Sequence, residues 1–388
     1  MSRKLKIGVA GLGRGFAYML PTFRRDPRIA LVAAADARKE ALAHFAADFG
    51  AKTYDTVEQL CGDPDVDLIY VATPHQFHAQ HTRLAAQAGK HLLIEKPMAI
   101  SLDECRAMIA AARAAGVQLC VGHSHSFDAP IARARALIES GEFGPVRMIA
   151  ALNFTDFMQR PRRPEELDTA QGGGVGFSQA AHQVDVVRRL AGKRALRVRA
   201  MAGAWDRARP TEGAYAALLS FEDGVFATLT YNGYGHFDSD EWQGWIGETG
   251  HAKTPHAGRV PRAFGSAAEE AAFKQSGNYG GAHFRESPPP QAHQHFGAVV
   301  VSCALADLRP LPNGVMVHRD GGGRLEPLPA PEIPRAEVID EIVDAVLHGK
   351  TPRHNGEWAM ATLEICLAIL QSGREGRDIE LRHQGACP

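Results

Sequence analysis

The segment Lys6-Ile7-Gly8-Val9-Ala10-Gly11-Leu12-Gly13-Arg14-Gly15-Phe16 runs from a short apolar strand through glycines into residues of helical character. That order is the strand–turn–helix start of a dinucleotide-binding unit. Gly11 and Gly13 permit a tight turn, and the backbone N–H groups around Arg14 and Gly15 can approach a pyrophosphate at the positive end of the helix. The third glycine of the usual pattern is replaced by Phe16. A second apolar run, Ile29–Ala35, ends at Asp36, where an acid accepts from the ribose 2′-hydroxyl and repels a 2′-phosphate. This favours NAD as the cofactor, while Arg38, able to pair with that phosphate, keeps NADP open.

Further apolar runs follow at 67–72, His91–Ile94 and 118–121, separated by helical stretches at 38–49, 78–88 and Leu102–Ala115, the last capped by Ser101 and stopped by Gly116. Runs of this length suit strands buried on both faces, and β-α-β order implies a doubly wound parallel sheet. After a helix over 130–140 the texture changes. Longer strand candidates, Val146–Phe154, 197–202, 213–221 and 224–231, are joined by turn-rich segments and predict an antiparallel sheet. Residues 235–294 lack periodicity and read as a long loop region, and amphipathic helices are expected over 335–348 and 357–371. The expected architecture is α/β: an N-terminal Rossmann doubly wound parallel sheet over 1–125, then over 126–388 an α+β domain with an open-faced, mainly antiparallel sheet. A chain of 388 residues is long enough for two cores.

With 43 basic and 44 acidic residues, the net charge of −1 offers no general field for nucleic acid or an anionic membrane. Attraction to an anionic small-molecule substrate must come from a local basic cluster. Six cysteines (Cys61, Cys105, Cys120, Cys303, Cys366, Cys387) lack CxxC spacing and read as reduced thiols. No signal segment or membrane-length apolar stretch is evident, so a cytoplasmic, membrane-free protein is expected.

In parallel sheets, ligand contacts lie at strand C-terminal ends. Thr73-Pro74-His75 follows one strand and should line the cofactor with His78 close by. His75, His78 and His81 are spaced three apart, but no further ligands converge there, so capping and surface roles are expected and no metal. Glu95-Lys96-Pro97 follows the next strand, with Pro97 restraining Lys96 to an extended conformation. A lysine ammonium at that end can hydrogen-bond a reacting oxygen.

Gly11–Gly13, Asp36, Thr73-Pro74, Gly89-Lys90-His91, Glu95-Lys96-Pro97 and Gly172-Gly173-Gly174 followed by His182 together resemble the Gfo/Idh/MocA oxidoreductases over nearly the whole chain. The resemblance implies a substrate held between the two domains, hydride transfer by a Lys and His pair mapping to Lys96 and His182, and a homodimer or homotetramer. Many members carry an Asp four residues before the His, on the same helical face. Here Ser178 stands there, and Gln179 or Asp185 are the alternative polar neighbours.

A narrower likeness, to the 4,5-dihydroxyphthalate dehydrogenase branch, rests on 122–128, 153–157, 160–167 and 208–213. It implies oxidation of a cis-dihydrodiol dicarboxylate to its catechol, an aromatic-catabolic reaction. His182 would take the hydroxyl proton and Lys96 stabilise the oxygen. Arg160, Arg162 and Arg163 are the candidates for binding carboxylates, since guanidinium matches carboxylate bidentately. Their alternative is a solvated basic loop. His123 and His125 are expected to face the pocket, without a metal. The competing readings are a sugar or cyclitol dehydrogenase, an NAD-recycling glycosidase and a nucleotide-sensing protein without turnover.

Overall fold

The computed structural model describes residues 3–255 and 263–385. The chain opens with β1 (Leu5–Ala10), α1 (Arg14–Arg25), β2 (Ile29–Ala35), α2 (Lys39–Phe49), β3 (Lys52–Tyr54), α3 (Val57–Cys61), β4 (Leu68–Val71), α4 (His78–Gln87), β5 (His91–Ile94), α5 (Leu102–Ala115) and β6 (Leu119–Val121). Its six strands are all parallel in the order β3-β2-β1-β4-β5-β6. The order reverses between β1 and β4, and the crevice beyond their C-terminal ends is where ligands bind in such sheets. All four residues of β4 are buried, as a central strand covered on both faces requires. Ser101 Oγ caps α5 by accepting from Glu104 N at 3.2 Å. Strand β3 escapes the apolar pattern because it is a three-residue edge strand with polar, exposed side chains.

The remainder comprises α6 (Ala129–Glu139), β7 (Val146–Phe154), α7 (Gly174–Ser178), α8 (Ala180–Ala191), β8 (Ala195–Gly203), β9 (Ala214–Phe221), β10 (Phe226–Asn232), α9 (Ala267–Ser276), β11 (Ala298–Cys303), β12 (Asp307–Leu311), β13 (Gly314–Arg319), β14 (Gly322–Pro327), α10 (Ala336–His348), α11 (Gly356–Glu375) and β15 (Ile379–Glu380). Nine strands form one sheet, β14-β13-β12-β11-β7-β10-β9-β8-β15, antiparallel except for the β7–β10 pair. Burial alternates along β8, β9 and β10. One face therefore packs under helices, and the other leaves Met201, Leu218 and Phe226 exposed. Val338, Ile339 and Ile342 of α10 return to the core of the first sheet, beside Leu5, Ile7 and Leu20.

The 235–294 segment is not a bare loop. Ser266 Oγ accepts from Glu269 N at 3.2 Å and starts α9. Beyond α9, Tyr279 is buried edge-on to Phe16, with centroids 5.1 Å apart, and its hydroxyl donates to Asp48 at 2.7 Å. The arm thus crosses to the first sheet, and it accounts for the missing third glycine: Phe16 is fully buried among Phe23, Phe45 and Tyr279. Residues 256–262 of this segment, and Cys387, lie outside the described residues. The other five cysteines are free. Among the described residues no helix is long and apolar enough to cross a membrane.

Candidate active site

Gly11 has φ +94°, and a Cβ there would lie 2.9 Å from the Ala72 oxygen, so only glycine fits between the ends of β1 and β4. At Gly15 a Cβ would come within 3.0 Å of the Glu95 side chain. Helix α1 starts at Gly13 without a side-chain cap, a cradle suited to a pyrophosphate. Asp36 accepts from Leu12 N at 2.6 Å and from Arg38 N at 2.8 Å and Nε at 3.1 Å. Arg38 also donates to the carbonyls of Leu12 at 2.7 Å and Tyr279 at 3.0 Å. Its guanidinium is therefore committed to protein oxygens rather than free for a 2′-phosphate. These residues fit an NAD adenosine diphosphate.

The three histidines spaced by three do not converge. His75 Nδ1 meets Gly172 O at 3.2 Å, His78 lies between Thr73 O (2.8 Å) and Pro97 O (3.0 Å), and His81 pairs with Thr73 Oγ1 at 2.9 Å. Burial holds His75 neutral, down at about 3. They brace the turn after β4, where Pro74 precedes a short helical turn. Glu95 accepts from the Tyr70 hydroxyl at 2.5 Å beneath it.

Lys96 sits at the end of β5, its bond to Pro97 cis, and Nζ donates to the Ser178 carbonyl at 2.9 Å. Burial lowers its pKa, with Glu95 and Glu248 opposing. Ser178 does not occupy the helical position expected of it. The helix breaks at Gln179 (φ −116°), so Ser178 ends α7 while His182 lies in the first turn of α8. Ser178 Oγ donates to Gly174 O at 2.5 Å, and the residue reaches Lys96 through its carbonyl alone. Gln179 is taken up by Tyr231, and Asp185 by Trp358, Thr362 and Ser126.

His182 is 6% exposed, and its Nδ1 has no hydrogen-bond partner among the described residues. Burial, then the charges of Lys96 and His125, hold it well below the ordinary histidine range, so the ring is a neutral base at pH 7. Its neighbour is His125, with ring centroids 4.7 Å apart. Asp128 bridges the pair that follows β6, Oδ2 with His125 Nδ1 at 2.7 Å and Oδ1 with His123 Nε2 at 3.1 Å. On the far side His125 Nε2 lies 3.5 Å from Glu248 Oε1. Burial works against a charged His125, but Asp128 and Glu248 outweigh it and push the pKa up to about 9. Burial leaves His123 neutral, down at about 3. Glu248 is held down at about 2 by His125, Arg160 and Lys96, which outweigh its partial desolvation.

The arginines part company. Arg160, paired with Asp156 at 2.9 Å, projects its field onto Glu248 and Tyr231. Arg162 is buried 3.5 Å above the Phe157 ring, bonds the Phe157 carbonyl, and keeps an unpartnered Nε. Arg163 turns to Glu165 at 3.2 Å and Glu166 at 3.6 Å. Helix α9 clamps this segment. Glu270 accepts from Arg162 N and Arg209, and Lys274 donates to Glu166 at 2.6 Å. Asp128 stands in the segment beside both histidines, yet Glu248 and Tyr231 carry no sequence pattern that would have found them.

A parallel sheet with a glycine turn, an acid for the ribose, and a lysine and a neutral histidine beyond the strand ends define a nicotinamide-dependent oxidoreductase. The chain belongs to the Gfo/Idh/MocA oxidoreductase family: residues 5–123 match its NAD-binding Rossmann fold and residues 131–253 its C-terminal domain. It is 48% identical, over 95% of this chain and 95% of the other, to the 1-carboxy-3-chloro-3,4-dihydroxycyclohexa-1,5-diene dehydrogenase of Comamonas testosteroni. A Bordetella bronchiseptica RB50 protein assigned as a dehydrogenase superposes with a TM-score of 0.89 at 39% identity, covering 97% of this chain and 100% of that one. The aldose-aldose oxidoreductase of Caulobacter crescentus shares the fold, with a TM-score of 0.74 at 24% identity over 98% and 100% of the chains.

Proposed function

We propose that the protein oxidises a carboxylated cyclic cis-dihydrodiol to its catechol, with NAD taking the hydride. What supports this reading is the gathering of a proton-handling pair, Lys96 and His182, with the cationic His125 and Arg160 around Glu248. Lys96 Nζ, released from the Ser178 carbonyl, donates to the reacting oxygen. His182, neutral and with a free ring nitrogen, accepts the hydroxyl proton. Arg160 and Arg162 hold the ring carboxylate, which a neutral polyol lacks, and His123 and His125 flank the ring. Loss of the hydride and proton leaves a hydroxy-dienone that enolises to an aromatic ring, so the direction is oxidative.

Gly11, Gly13, Arg14, Gly15, Asp36, Thr73, Pro74, His75, His78 and Glu95 hold or brace the cofactor. The named diene-diol relative supports the substrate class. The exposed Met201, Leu218 and Phe226 on the open sheet face support a homodimer or homotetramer, and the cytoplasm is the proposed place of action. Assay of NADH formation on a carboxylated cis-dihydrodiol against inositol and glucose tests the reading.

A further inference from the structure

His125, His182 and Glu248 come from three separate parts of the chain, after β6, in α8 and beyond β10, and converge without bonding one another well. One ligand atom of each lies within 4.8 Å of the others. The His125 Nε2–Glu248 Oε1 separation of 3.5 Å is long for a hydrogen bond. It matches the spacing of two ligands around a tetrahedral ion, where bonds of about 2.0–2.2 Å set ligand atoms roughly 3.3–3.6 Å apart.

The layer behind is built as metal sites build it. Asp128 Oδ2 takes His125 Nδ1 at 2.7 Å, leaving Nε2 as the ligand atom, and His123 holds the other oxygen at 3.1 Å. A carboxylate behind an imidazole fixes the ring's orientation and tautomer at a metal. His182 is buried with an unpartnered nitrogen, a state native proteins seldom leave unexplained.

We propose that His125, His182 and Glu248 bind one divalent cation of the zinc class, supported by Asp128 and His123. This departs from the expectation of no metal drawn from the sequence, where Glu248 was invisible. Three protein ligands leave a further position open. Resting here on the dihydrodiol reading, the oxygen that takes it belongs to the vicinal diol or catechol; in the loaded protein the cation would acidify that hydroxyl and its proton would pass to water, His182 serving as the base only in the metal-free protein.

Chelator-stripped protein titrated with Co2+ as the probe, followed by visible absorbance and calorimetry, tests the site without substrate or turnover. The expected result is one equivalent bound with the absorption bands of four- or five-coordinate Co2+, lost in His125→Ala and in Glu248→Ala. Glu248 is partly exposed, so its variant folds even where the buried histidine does not tolerate change. His123→Ala keeps the bands and weakens binding by about 10–100-fold. Absence of bands at saturating Co2+, or bands that persist in both ligand variants, would overturn the proposal. That failure leaves the dihydrodiol reading untouched, and a failed dihydrodiol assay leaves the titration untouched.

Discussion

Lys96 donates from Nζ to the main-chain oxygen of Ser178 across 2.9 Å, tying the end of β5 to the helix break ahead of His182. The two residues assigned to hydride chemistry are thereby fixed relative to each other by a backbone carbonyl, with no charged partner on the helix. A substrate oxygen must replace that carbonyl as the acceptor for Nζ.

Lys96→Ala is expected to lower kcat/KM by about 100–1,000-fold, the usual cost of removing one donor aimed at a developing oxyanion. NAD affinity, measured by fluorescence titration, should change little, because the contacts proposed for the dinucleotide are at Gly11, Gly13 and Asp36. Retained turnover would remove Lys96 from the reaction.

Asp36→Ser removes both the ribose acceptor and the carboxylate that engages Arg38. Loss of the carboxylate ends the repulsion of a 2′-phosphate, and Arg38, still held by the Leu12 and Tyr279 carbonyls, leaves its charge uncompensated beside it, so the kcat/KM ratio of NAD to NADP should fall by about 10–100-fold. An unchanged ratio would mean that the cofactor does not contact this pair.

The arginines should separate kinetically as they do in space. Arg160→Ala is expected to raise KM for a carboxylated diol by about 10–100-fold, the loss of one charged hydrogen bond, and to spare a neutral diol. Arg163→Ala, whose side chain is engaged by Glu165 and Glu166, should do neither. Equal effects from both would mark 160–163 as a structural loop.

His125 supplies a pH signature in chelator-treated protein. Its folded pKa, about 9, lies above the ordinary histidine value, so its stabilising contribution is fully present below about pH 6.5 and is lost as pH rises through 9. Thermal melts of wild type and Glu248→Gln should therefore differ most near pH 6 and draw together near pH 9. A gap that widens with pH would contradict the assignment.

Much of this was legible in the residues. The glycine turn, Asp36 and the buried runs specify a parallel sheet because both faces of its strands are apolar; Lys96 could be picked out from its place after a strand, whereas His182 entered only through the family resemblance. What escaped has physical reasons. Gln179 interrupts the helix, so counting four residues back from His182 misplaced Ser178. Neighbouring arginines scatter because irregular backbone points successive side chains in different directions. Glu248 lies in a segment without periodicity, placed by the crossing of the arm that Tyr279 anchors on Phe16. Helix α9 did carry a readable start, Ser266 with Glu269, within what looked like loop.

The central claim, oxidation of a carboxylated cis-dihydrodiol, meets its most direct test in kcat/KM for NADH formation on that substrate beside inositol and glucose, with the product identified. A carboxylated catechol with equimolar NADH, and little turnover of the polyols, is the predicted result. Efficient oxidation of a polyol with none of the dihydrodiol would contradict it.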